Sequence, residues 1–180
     1  MDTIYSKEEI IAGLQDASLK VINWITEQDN DKFTKAADGK WSTSQQLDHL
    51  IKSVQPITAI INKPRFIMRT TFGVSNRETR TYSAVLEKYR AKLKAGGLAP
   101  TPFSPNDSSE VNKSNMIDRY SQLSKKLVKS VKGLSENDLD KYVLPHPLLG
   151  KLPLREMMFF TILHTHHHLD ALKRLYGSSA

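Results

Sequence analysis

Apolar residues recur at helical spacing in four long stretches of this chain, and no stretch alternates long enough to read as a sheet. The first runs from about Ser6 to Glu27, with Ile10, Leu14, Val21 and Ile25 near helical period and a capping-box pair in Ser6 and Glu9. The second opens after Trp41, where Ser42 and Gln45 repeat that signal. Leu47, Leu50, Ile51, Val54, Ile57 and Ile61 form its stripe, and Pro56 inside the stripe predicts a kink or an early break. The third runs from about Ser114 to Val131, with Ile117, Tyr120, Leu123, Leu127 and Val131 inward and Gly133 near its end. The last has Pro153 in its first turn and Gly177 just past its end.

Between Asn62 and Asn115 the pattern weakens. Tyr82 to Leu93 reads as a shorter helix contacting its surroundings through Val85, Leu86 and Tyr89. Gly96-Gly97 and the Pro-rich stretch Pro100–Ser109 then read as a loop, and a loop this long in a compact domain is functional or mobile. Leu144–Gly150 reads as a second irregular segment. The expected fold is therefore all-α, a four-helix bundle with a long connection between the second and third core helices. With neither a repeat nor a credible linker, residues 1–180 read as one domain.

The chemistry concentrates in histidine. Four of the six lie in His164-Thr165-His166-His167-His168, embedded within the last helical stretch. At about 100° per residue from His164, His168 falls near 40° and His166 almost opposite, with His167 near −60° at the edge. Met157, Phe160, Ala171 and Leu175 share the face of His164 and His168. Two imidazoles at i and i+4 can share a metal ion; the alternative is a pair of core histidines bonded to each other, to Tyr or to backbone carbonyls. His49 lies near 220° when Val54 is zero, with Gln45, Pro56 and Ile60, off the main stripe of its helix. That angle argues mildly against it as a third ligand unless the helix buries two faces. His146, between two prolines, reads as a ligand, a substrate contact or a capping side chain. Trp41, just before the second helix, reads as a hydrophobic staple or a ring packed on the end of the bundle.

Composition narrows the classes. The chain has no Cys, which excludes thiolate zinc sites, iron–sulfur clusters, disulfides and Cys nucleophiles. No apolar run approaches the roughly 20 residues that span a bilayer, and Met1–Ile4 lacks a signal-peptide pattern, so a cytoplasmic protein away from membranes is expected. The net charge of +7 is local: Lys63 to Lys94 holds nine cations and two acids, and the rest of the chain is neutral. Such a segment suits anionic partners or a solvated helix face, and without a nucleic-acid motif the second reading is preferred.

The block Lys40-Trp41-Ser42-Thr43-Ser44-Gln45-Gln46-Leu47-Asp48-His49-Leu50 resembles the Trp–Ser/Thr…His–Leu motif of the DinB-like superfamily, which includes YfiT-type proteins. The run from His146-Pro147-Leu148-Leu149-Gly150 through His164–His168 looks like the matching histidine helix. In place of the Arg-Gly-Gln that often follows the final histidine, this chain has Leu169-Asp170-Ala171. The resemblance implies a four-helix bundle in which His49, His164 and His168 bind a divalent metal, zinc or nickel first, iron or manganese as alternatives. His146 and His167 are the further candidates from their positions in the chain, as substrate contacts or supports for the ligands. The resemblance further implies a metal-dependent enzyme working by thiol transfer with a low-molecular-weight thiol, or by hydrolysis; the basic segment from Lys63 to Lys94 could hold the carboxylates of such a thiol. The alternative is a non-catalytic metal-binding or stress-associated protein. A homodimer is expected, because relatives are often dimeric and two-fold assemblies are the commonest.

Overall fold

In the computed structural model, which describes residues 5–36, 39–106 and 111–177, the four expected long helices are present. In chain order the elements are α1 (Lys7–Glu27), α2 (Asn30–Thr34), α3 (Thr43–Ile61), α4 (Arg65–Phe72), α5 (Tyr82–Lys94), a 3₁₀ turn (Thr101–Phe103), α6 (Lys113–Lys132), α7 (Glu136–Lys141), β1 (Val143–His146), β2 (Gly150–Pro153) and α8 (Leu154–Tyr176). Helices α1, α3, α6 and α8 form the bundle, and α5 lies against the outside of α8. The fold is all-α, with the long insertion between α3 and α6. No helix of the described residues is long and apolar enough to cross a membrane. Met1–Ile4 and Asp107–Ser109, on which two of the expectations rest, fall outside the described residues.

Local chemistry explains the boundaries. Ser6 and Ser42 each accept a hydrogen bond from the backbone N–H three residues on, while Glu9 and Gln45 reach back to the cap N–H groups. These reciprocal bonds satisfy orphan donors that would otherwise fray the first turn. Helix α5 ends where Gly96 N–H donates to the Leu93 carbonyl and Gly97 N–H to that of Lys92. Gly96 has φ +83°, and a Cβ on Gly97 would lie 2.8 Å from the Lys92 oxygen, so both glycines are required by this turn.

Two expectations change here. Helix α3 continues through Pro56 to Ile61, so the early break does not occur. Leu144–Gly150 is not irregular: β1 and β2 pair antiparallel, with Leu144 opposite Leu152 and His146 opposite Gly150. Four-residue strands holding Pro145 and Pro153 are too short to show alternation, and a two-stranded pair has edges on which proline is tolerated. The hairpin, α5 and α7 cover the outer side of α8, whose residues 154–165 are buried all round.

That burial includes two charges. Glu156, 0 % exposed, accepts from both terminal nitrogens of the Arg77 guanidinium at 2.5 and 2.7 Å, from Arg80 N–H at 2.8 Å and from the Arg80 guanidinium at 3.0 Å. Its neighbour Arg155 donates to Asp140, Glu136 and the Tyr5 carbonyl. Arg65 donates to the Ile61 and Gly133 carbonyls, and Lys88 to that of Leu149. Part of the basic segment is thus internal wiring rather than a solvated face.

Candidate metal centre

His164 and His168 project from successive turns of α8, and α3 brings His49 against them. The Nε2 of His164 lies 2.9 Å from Nε2 of His49 and 3.0 Å from Nε2 of His168. All three rings are buried. The angular objection to His49 dissolves because α3 does bury two faces. Leu47, Leu50, Ile51 and Val54 enter the core, while Gln46, His49, Ser53, Pro56 and Ile60 line a cavity.

The outer nitrogens show why the inner ones are available. Nδ1 of His49 lies 2.7 Å from the Phe103 carbonyl, and Nδ1 of His168 lies 3.0 Å from Gln46 Oε1. A carbonyl only accepts, so His49 Nδ1 carries its proton, and the Gln46 oxygen asks the same of His168. Both Nε2 atoms therefore aim a lone pair toward His164. Ligating histidines commonly have this arrangement, the far N–H tied to an oxygen that sets tautomer and direction. Nitrogens held at about 2.0–2.1 Å from one ion can be no more than about 4.2 Å apart. The two short separations satisfy that limit. Among the described residues this trio is the group of His, Asp or Glu that could hold a metal ion, and it can take a divalent one. Burial pushes His49 below its ordinary value, and pushes His164 and His168 well below theirs, the neighbouring imidazoles adding to the effect. Neutral rings are the form a metal needs.

His146 stands apart from the trio. Its Nδ1 accepts from the N–H groups of Leu148 and Leu149, both at 3.1 Å, so it caps the hairpin turn. His167 is half-buried, its ring 5.3 Å from that of His168 and 5.8 Å from that of Tyr89. His166 is outside the cluster, on the side near Lys20 and Asp16 of α1.

The trio opens on a cavity of about 800 Å³. The connection after α3, the Pro-rich loop and the β1–β2 hairpin all help to wall it, through Phe72, through Pro100 and Phe103, and through His146 and Leu148. No Asp or Glu among the described residues lines it. None of the nine cations from Lys63 to Lys94 lines it either; Lys40 and Arg174 are the lining cations. Trp41 is another correction. It is half-buried and lines the cavity, its ring 5.1 Å from His49 and stacked on His168 at 6.4 Å. Trp41→Ala should therefore cost clearly less than the about 3–5 kcal/mol of a core tryptophan. A denaturation midpoint shifted by the full core amount would return the ring to a structural role.

Gln46, Phe103 and Tyr89 were not foreseen as site residues. Gln46 sits three residues before His49, a spacing that shares a helix face and could have flagged it. The Phe103 contribution is a backbone carbonyl, which no side-chain pattern announces.

The DinB superfamily model matches residues 8–172. The chain belongs to the DinB superfamily. YfiT from Bacillus subtilis, a probable metal-dependent hydrolase with an unusual four-helix bundle topology, is similar in structure, with a TM-score of 0.64 and 19% identity. The similarity covers 99% of this chain and 93% of that one, and establishes the shared fold. No curated protein matches.

Proposed function

We propose that this DinB-superfamily chain is a metal-dependent enzyme acting on a small molecule, with His49, His164 and His168 holding the ion. The observation that carries this reading is the convergence of three buried Nε2 atoms, two with the opposite N–H secured, at the wall of a large cavity. The description of YfiT as metal-dependent supports it. A divalent ion supplies a Lewis acid that activates a water or thiol nucleophile and polarises an oxygen. Imidazole donors suit zinc, nickel or iron, and neutral donors leave the ion its whole charge.

The protein's own part is positioning and exclusion of water. Trp41 and Phe103 cover His49 and His168, and Phe160 stacks on His164 with ring centroids 5.0 Å apart. With no lining carboxylate among the described residues, proton acceptance falls to His167, which burial and Arg174 keep neutral at neutral pH. A thiol coordinated to such an ion is deprotonated outright, whereas bound water still has a proton to give up near neutral pH, so the thiol asks less of a base, which favours thiol transfer over hydrolysis.

Metal analysis of protein purified without a His-tag or chelating column should find about one ion per chain. Screening with low-molecular-weight thiols and electrophiles, beside ester and amide hydrolysis, then tests the reaction. Metal-free protein with no thiol-dependent turnover would overturn the reading. The homodimer belongs to the same proposal, and sedimentation at micromolar concentration tests it.

A further inference from the structure

The chemistry of His146 narrows the class of molecule the cavity takes, given that this cavity is the substrate site. Both groups facing its Nδ1 are backbone N–H donors, those of Leu148 and Leu149 at 3.1 Å, so Nδ1 must offer a lone pair. A neutral imidazole with its lone pair at Nδ1 carries its proton on Nε2. The ring is held in place by the turn it caps, opposite Gly150 with φ +78°, and by edge contact with Phe160 at 4.1 Å. Burial, with Lys88 nearby, pushes its pKa down to about 4, so it stays neutral at neutral pH. His146 cannot lend an Nε2 lone pair to an ion without abandoning its turn. It lines the cavity, and its free ring nitrogen can meet a ligand there only as a donor.

We propose that the cavity binds an apolar molecule bearing a hydrogen-bond-accepting oxygen, held by the Nε2–H of His146. The apolar body lies against Ile57, Ile60, Phe72, Leu93 and Leu148, which line the same cavity. Its volume of about 800 Å³ is that of a site for a whole small molecule rather than for a solvated ion. A cationic, donor-only head finds no carboxylate among the described lining residues, and Lys40 and Arg174 repel it.

The probes are decanoate, methyl octyl ketone and decylammonium, titrated calorimetrically into the protein as purified with its metal content measured alongside. Decanoate and the ketone should bind and decylammonium should not. His146→Asn keeps a short side-chain oxygen that can accept the same two N–H groups as an Asx-turn, but presents no Nε2–H. It should weaken both oxygen-bearing probes by about tenfold or more, with melting temperature and metal content unchanged. Equal binding by the Asn variant, or decylammonium binding as tightly as decanoate, overturns the proposal. If the variant melts early, imidazole nitrogen NMR of the unsubstituted protein decides: an Nε2–H tautomer at His146 supports the proposal, and an Nδ1–H tautomer overturns it. The expected probe pattern in a protein that carries no ion would refute the metal reading and leave the role of His146 standing.

Discussion

His164→Ala is expected to abolish measurable binding of a divalent ion. His164 is the centre of the trio, with its Nε2 within hydrogen-bonding distance of both others, and only His164 and His168 share a helix. Its loss leaves two ligands from different helices. The effect should exceed the about 10–100-fold cost of losing a supporting partner, which is the expectation for Gln46→Ala beneath His168. His166→Ala should bind normally. The metal-dependent part of stability disappears with the ligand, about 4 kcal/mol where the free ion stands a thousandfold above its dissociation constant. The pH dependence follows from burial, which lowers all three ring pKa values below 6.5. Above 6.5 the rings are neutral in folded and unfolded chains alike. As pH falls below it, the unfolded chain takes up protons first, so stability is lost toward the lower folded values and metal loading falls with it. Metal titration of the purified variants, with melting temperatures at several pH values, checks each part. Normal loading of His164→Ala, or loss on His166→Ala, would mean the wrong helix face has been assigned.

Glu156→Gln is expected to destabilise the fold by about 2–4 kcal/mol. Breaking a buried ion pair commonly costs about 3–5 kcal/mol, and the figure is reduced here because Arg77 and Arg80 keep side-chain exposures of 31 % and 33 %. Burial pushes the Glu156 carboxyl up, but hydrogen bonds from Arg77 and Arg80 and their charges outweigh it, leaving the group below its ordinary 4.5. Its contribution is therefore present above about 4.5 and lost as pH falls through the lower folded value. Urea denaturation of Glu156→Gln, Arg77→Ala and the double variant would measure the coupling. Additive effects would show that the charges are independently solvated. Because Glu156 begins the helix that later presents His164 and His168, its loss should also weaken metal binding.

Much of the bundle is legible from local rules. The capping boxes at Ser6 and Ser42, the stripe from Leu47 to Ile61 and the boundary residues Pro153 and Gly177 act within one or two turns, and the helices begin and end at them. The i, i+4 pair of His164 and His168 is equally local, since a helix places those rings on one face whatever it packs against. The DinB-like motifs around Trp41–His49 and His164–His168 pointed to the third histidine, where helical angle alone argued against it.

Other features were invisible because they depend on groups far apart in the chain. His49 faces His164 only because α3 carries a core stripe on one side and a cavity stripe on the other, and periodicity reports the stronger. Phe103 fixes the His49 tautomer through a backbone carbonyl that any residue would supply. The cations of the basic segment looked solvated until Arg77 and Arg80 met Glu156, 79 and 76 residues away. Trp41 passed for a staple because its sequence neighbours are a helix cap, whereas its spatial neighbours are two imidazoles. Sequence alone determined which segments become helices and which histidines share a face, because backbone hydrogen bonds and helical period act over a few residues. Only the tertiary structure decided what those faces meet, because desolvation and charge pairing depend on distance in space.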